Sequence, residues 1–220
     1  VQAATNTELI EFNGWTLRVR QPNAAKQNLL VMLHGWTGDE NSMWIFTRGL
    51  PSSYWMIAPR APHPAKPSGY SWRPNDPDSF GRPSFEKLKP AADALLKLID
   101  AYAAEKNINA AKFDVMGFSQ GAAMTNMLGI LYPQRIEKMG VLAGFVPGGA
   151  EALLAQKPLA GKHIFVAHGL QDEMIPIARA RESISLLEQG GARVTYCEDD
   201  VAHKVSANCK RALEAYLKNS

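Results

Sequence analysis

Cysteine is scarce: Cys197 and Cys209 are the only two among 220 residues. That is too few for a disulfide framework or a cysteine-based zinc site. Cys209 falls on the apolar stripe Val205, Cys209, Ala212, Leu213, Tyr216, so a buried free thiol is the first expectation there. A Cys197–Cys209 bridge bracing the segment between them is the minor alternative. Long apolar runs are missing too, and none nears the roughly 20 residues of a membrane-spanning helix. No basic region followed by an apolar stretch opens the chain, so no signal peptide is visible and a cytoplasmic location is expected. Val1 is not an initiator methionine, which leaves a removed leader as the open alternative.

Charge of one sign is also lacking. The formal charge is +3 with both signs well mixed, which gives no electrostatic case for nucleic acid. Gly-x-x-x-x-Gly-Lys-Ser/Thr is absent, as are His-x-x-x-His and clustered carboxylates, so neither a phosphate loop nor a metal site is expected. No repeat or low-complexity segment interrupts the 220 residues, and one domain over 1–220 is expected. The oligomeric state is not legible.

What is present is a regular alternation. Glu8–Phe12 and Trp15–Arg20 flank Asn13-Gly14, a hairpin signal. Leu29–Leu33 is a continuous apolar run, as in a strand buried on both faces. A short helix over Ser42–Leu50 and a strand over Trp55–Ala58 follow. Helices are expected at Pro90–Glu105, Ala122–Leu131, Ile177–Gln189 and Val205–Leu217. Strands are expected at Phe113–Gly117, Met139–Ala143, His163–Ala167 and Val194–Cys197. After an antiparallel start, strands alternate with helices, so the fold class is α/β with a mostly parallel sheet covered on both faces. Only about fifteen residues separate the Gly144-Phe145-Val146-Pro147 turn after the Met139 strand from the His163 strand, too few for a large cap domain.

Residues 59–83 break the pattern. They hold seven of the fourteen prolines, with Tyr70, Trp72, Phe80, Arg60, Arg73 and Arg82. A loop this long is functional or disordered, and its aromatics argue against disorder. One reading folds it over a pocket mouth; the other is a surface loop stapled by its own aromatics.

Ligands of such sheets gather beyond the carboxyl ends of the strands. Gly117-Phe118-Ser119-Gln120-Gly121 lies there, with a strand before it and an apolar helix after it. A sharp turn of this kind exposes a serine hydroxyl beside a helix N-terminus, where a developing oxyanion is stabilised. Alone the motif is weak, because glycine-rich turns are common. Its serine needs a base, and the base needs an orienting group. Of five histidines, only His203 lies in a polar loop between the last strand and the last helix. His34 and His168 each precede glycine at a strand end and suit a structural role. Asp172 is the preferred acid, ahead of Asp199 and Asp200 in the base's own loop; the plainer role for Asp172 is a helix cap. Ser119, Asp172, His203 is the chain order of α/β-hydrolases. The oxyanion would be held by the backbone N–H of Gln120 and by one after the Leu29–Leu33 strand, Trp36 first and Thr37 next.

LHGWTGDEN at 33–41, GFSQGAA at 117–123, LAGFVP at 142–147, HGLQDEMIP at 168–176 and AHKV at 202–205 together resemble the phospholipase/carboxylesterase family of small serine α/β-hydrolases, which includes acyl-protein thioesterases and bacterial carboxylesterases. The resemblance runs from Leu29 to Leu217. It implies a cap-less serine esterase with Ser119, Asp172 and His203 as triad, oxyanion N–H groups from Trp36 and Gln120, and no cofactor. The chain departs from the family at Ala122, Ala143, Ala202 and Trp36, where other members often have glycine, serine, glycine and an aliphatic residue. Trp36 and the Tyr70/Trp72 loop point to an acyl pocket of different shape. The expected activity is hydrolysis of small, short-chain carboxylic esters through an acyl-enzyme, with Tyr70, Trp72 and Phe145 lining the substrate pocket. Thioester or lysophospholipid hydrolysis, acyl transfer to an alcohol or amine, and a non-catalytic binding module are the alternatives.

Overall fold

The computed structural model describes residues 7–22, 27–74 and 83–218. Its centre is an eight-stranded sheet in the order β1-β2-β4-β3-β7-β8-β9-β10. β1 (Glu8–Phe12) and β2 (Trp15–Arg20) form the antiparallel hairpin, and β2 pairs antiparallel with β4 (Tyr54–Pro59). Asn13 and Gly14 both take positive φ, 48° and 79°, as a twist-matched two-residue hairpin turn requires. From β4 onward all pairing is parallel, through β3 (Asn28–Leu33), β7 (Phe113–Phe118), β8 (Ile136–Leu142), β9 (His163–Gly169) and β10 (Arg193–Asp199).

Because successive strand residues face opposite sides, the apolar runs feed two separate cores. Leu29, Val31 and Leu33 join one cluster with Val115, Ile164 and the inward faces of α1 (Phe85–Lys106), α2 (Gln120–Leu131) and α4 (Ile177–Gln189). Leu30 and Met32 join the other, with Met116, Phe165, Phe46 and the apolar stripe of α5 (Ala207–Lys218). This double coverage is why the central strands read as unbroken apolar runs. Between β8 and β9 stands only α3 (Glu151–Leu154), so the described residues hold no large cap.

Several boundaries differ from expectation. Ser42–Phe46 is a 3₁₀ turn rather than a longer helix. α1 begins at Phe85, five residues before Pro90. Proline in a helix interior costs about 3 kcal/mol, but burying Phe85 and Leu88 contributes about 3–6 kcal/mol together. The 59–83 loop contains a minimal hairpin, β5 (His63–Pro64) with β6 (Tyr70–Ser71). Phe80 and Arg82 lie outside the described residues.

The expectation for cysteine is corrected. Cys197 on β10 and Cys209 on α5 form a disulfide, with Cα atoms 5.6 Å apart. Cys209 is buried as its stripe demands, but the stripe packs α5 directly over the end of β10 and brings the two sulfurs together.

Candidate active site

β7 runs into α2 through a single residue, Ser119, with φ 55° and ψ −115°. Such a conformation costs about 1–3 kcal/mol and persists only where neighbours hold it. The Ser119 N–H donates to the Leu142 carbonyl (2.9 Å), and the Ser119 carbonyl accepts N–H bonds from Ala122 and Ala123. The two flanking glycines are steric requirements. A Cβ at Gly117 would stand 2.1 Å from the Gly121 carbonyl oxygen, and one at Gly121 would stand 2.0 Å from that of Leu33. The elbow exists because strand and helix backbones pass this closely.

His203 and Asp172 converge on that serine from two further loops. His203 Nε2 lies 3.0 Å from Ser119 Oγ, and His203 Nδ1 lies 2.7 Å from Asp172 Oδ2. An ionised carboxylate can only accept, so Nδ1 carries the proton and Nε2 offers its lone pair to the serine hydroxyl. The Asp172 side chain is wholly buried, whereas His203 keeps partial access to solvent. Oδ1 of Asp172 accepts the N–H groups of Met174 (3.0 Å) and Ile175 (2.9 Å). These bonds fix the carboxylate and leave Oδ2 for the base. Asp199 turns away, accepting the Asp200 N–H at 2.9 Å. Phe118 lies 5.0 Å from the His203 ring and Phe46 6.3 Å from Phe118, an apolar wall behind the base.

The other side of the serine is the turn after β3. Gln120 is the first residue of α2, so its N–H has no acceptor within the helix. Trp36 follows His34-Gly35, just beyond the end of β3, and a Cβ on Gly35 would touch Ser119 and Phe118 at 3.3 Å. Thr37, the second choice for an oxyanion donor, gives its N–H to the Tyr70 carbonyl at 3.0 Å. The turn is thereby zipped to the 60–74 loop, with Tyr70 N–H returning to Gly38 O at 2.9 Å. His34 adds two further ties. Its Nε2 accepts the Ala61 N–H (3.0 Å), and its carbonyl accepts the Trp72 indole N–H (2.8 Å). Burial holds the His34 imidazole below its usual range, against the opposing pull of its bond to Gly35 O. It is a neutral structural group.

The three expected pocket residues separate. Tyr70 is half-buried beside the oxyanion turn, with the Arg60 guanidinium 4.7 Å from its ring. Trp72 is fully buried against His34 and offers no surface to a substrate. Phe145 is 3% exposed, with Arg179 over its ring at 3.7 Å. Trp72 and Phe145, expected to line the substrate pocket, are both buried in the core cluster. Within the described part of the loop, Tyr70 and Trp72 tie the chain to the turn after β3.

Other contacts escaped sequence reasoning. The Gln120 side chain, chosen only for its backbone, accepts the Trp72 N–H (3.0 Å) and donates to Ser71 Oγ (3.2 Å). Glu40, 3% exposed, takes two bonds from Arg60 at 2.7 and 3.0 Å. The Arg60 hydrogen bonds hold its carboxyl below the usual range. His168, four residues before Asp172, donates from Nε2 to the Ile175 carbonyl (2.8 Å) and sits 3.3 Å from Asp172 Oδ2. Only that last pair had a signal, the His-x-x-x-Asp spacing. A groove of about 510 Å³ between Asn28, Phe113, Asp114 and Lys138 lies at the amino ends of the strands, away from this chemistry.

The chain is similar to known proteins in both sequence and shape. A "probable carboxylesterase SOBER1-like" of Arabidopsis thaliana is 26% identical over 187 residues, which is 81% of this chain and 67% of that one. The Arabidopsis carboxylesterase SOBER1 is 26% identical over 149 residues, 66% of this chain and 64% of that one. The chain thus spans about two thirds of the length of these relatives. Among solved structures, a carboxylesterase from Mesorhizobium loti superposes with a TM-score of 0.81 at 20% identity, covering 98% of this chain and all of the other. A Bacillus cereus carboxylesterase gives 0.75 at 19% identity, covering 92% and 93%. At such identities the likeness is one of fold, the α/β-hydrolase fold. The model of one family matches residues 16–219, and the chain belongs to it: the phospholipase/carboxylesterase family.

Proposed function

We propose that this member of a carboxylic-ester hydrolase family is a serine esterase for short-chain esters. The observation that carries the reading is the relay Asp172–His203–Ser119, with contacts of 2.7 and 3.0 Å on a serine at the start of α2. His203 Nε2 takes the hydroxyl proton as Ser119 Oγ attacks the ester carbonyl. Asp172, acceptor-only and buried, stabilises the imidazolium and keeps the ring in line. Charge develops on the carbonyl oxygen, and the Gln120 and Trp36 N–H groups are the donors we assign to it. His203 returns the proton to the departing alkoxide, leaving an acyl-Ser119. A water deprotonated by His203 then releases the acid. No step needs a metal or cofactor.

The short-chain assignment rests on the 60–74 loop. Backbone bonds tie Tyr70 to Thr37 and Gly38 beside Trp36, and Trp72 and Phe145 are packed in the core rather than open to a long acyl chain. A p-nitrophenyl ester series tests this. kcat/KM should be highest for acetate to butyrate and fall by octanoate. Equal or rising rates at eight carbons and beyond would favour a lysophospholipase or long-chain thioesterase instead. The Cys197–Cys209 bridge also moves the proposed location from the cytoplasm to an oxidising compartment, since cytosolic thiols keep such pairs reduced.

A further inference from the structure

The disulfide spans the segment that carries the base. Cys197 and Cys209 are 12 residues apart, and residue 203 lies midway. Both feet of this segment need holding. Among the described residues β10 is an edge strand, paired only with β9, and α5 begins at Ala207. Residues 200–206 between them belong to no helix or strand. Three short backbone bonds order the first half of the loop: Leu170 N–H to Asp199 O, Gln171 N–H to Val201 O, and Val201 N–H to Asp199 O. The first two also tie it to the turn bearing Asp172. The second half is held by the Lys204 N–H bond to the Ala202 carbonyl (2.7 Å), by Ser206, whose hydroxyl bonds the Asp199 carboxylate and accepts the Cys209 N–H, and by the bridge itself. Cys209 is 1% exposed in the core beneath α5, so the bridge anchors the α5 side of the loop in that core.

We propose that the Cys197–Cys209 disulfide is a positioning element for catalysis: it holds His203 on the Ser119–Asp172 line, and turnover depends on whether the bridge is closed. The proposal rests on the esterase reading above. Reduction by a dithiol breaks the S–S bond, leaves a proton on each of Cys197 and Cys209, and converts the dithiol to its own disulfide. The free thiols keep their packing, but the base's loop gains freedom at its α5 foot. A misplacement of about 1 Å at a catalytic group can cost about 10²-fold in rate. A loop that spends part of its time out of line loses less.

The test compares wild type with a C197S/C209S double variant, well below the melting temperature of both. The readouts are p-nitrophenyl acetate hydrolysis and the rate at which a fluorophosphonate labels Ser119. Positioning predicts that kcat and labelling fall by about tenfold, with KM changed less than twofold. A bridge that serves stability alone lowers the melting temperature and leaves both rates as in wild type, which would overturn the proposal. Non-reducing peptide mapping of wild type that finds free Cys197 and Cys209 would also overturn it. If the double variant does not fold, wild type reduced with dithiothreitol and alkylated takes its place. Should that unfold as well, the bridge is a folding element and the positioning role fails. A wild type that neither hydrolyses nor labels refutes the esterase reading instead, so the two failures are distinguishable.

Discussion

At the scale of single residues, the site is built from groups that do structural work beside the reacting ones. Gln120 is the clearest case. Its backbone N–H, at the first position of α2, has no acceptor within the helix, and its amide clamps Ser71 and Trp72. Gln120→Ala leaves a buried N–H without an acceptor, which costs about 1–3 kcal/mol. The urea midpoint should fall accordingly, measured beside an exposed Gln189→Ala control. His34 gives a pH dependence with a definite sign. Burial lowers its folded pKa, so below about pH 6.5 the unfolded chain binds a proton that the folded chain refuses. Its contribution to stability is complete above that range and is lost as the pH falls toward the lowered folded value. Urea melts from pH 7.5 to 5 should show this loss, and His34→Gln should flatten that part of the curve. Ser119, Asp172 and His203 were legible one by one because each follows its own strand in a known order. The clamps were not, since a glutamine amide or a tryptophan ring carries no spacing that reveals its partner.

At the scale of elements, the elbow ties fold to chemistry. Gly121 lets α2 start directly against the β3 backbone, and a Cβ there would lie 2.0 Å from the Leu33 carbonyl oxygen. Backbone cannot yield as a flexible side chain does. Gly121→Ala should cost about 1–3 kcal/mol or more by overpacking and, by shifting Ser119, at least about 10²-fold in kcat/KM. Chemical denaturation and ester hydrolysis check the two effects separately. Parallel strands were easy to read because both faces are buried and their apolar runs are unbroken. The start of α1 was harder to read. Pro90 looks like a first helical position, whereas burial of Phe85 and Leu88 carries the helix five residues further back. The disulfide was misjudged for a similar reason. Its two cysteines meet only once α5 docks on β10, and that packing is tertiary.

At the scale of the whole molecule, the sheet sorts function to one edge. The carboxyl ends of β3, β7, β9 and β10 deliver the turn bearing Trp36, Ser119, the turn bearing Asp172 and the loop bearing His203. No large cap stands among the described residues, and the 60–74 loop is the segment tied to the turn after β3. It is stitched down through Thr37, Gly38, His34, Gln120 and Glu40 rather than hinged. Sequence patterning places such a loop but not its stitches, because they are long-range backbone bonds. Everything proposed for turnover depends on Ser119 acting as the nucleophile. The most direct test is p-nitrophenyl acetate hydrolysis by Ser119→Ala beside wild type, with fluorophosphonate labelling mapped by mass. Wild type should hydrolyse the ester and carry the label on Ser119, and the alanine chain should lose about 10⁴-fold or more in kcat and remain unlabelled. Comparable rates, or a label on another residue, would contradict the assignment.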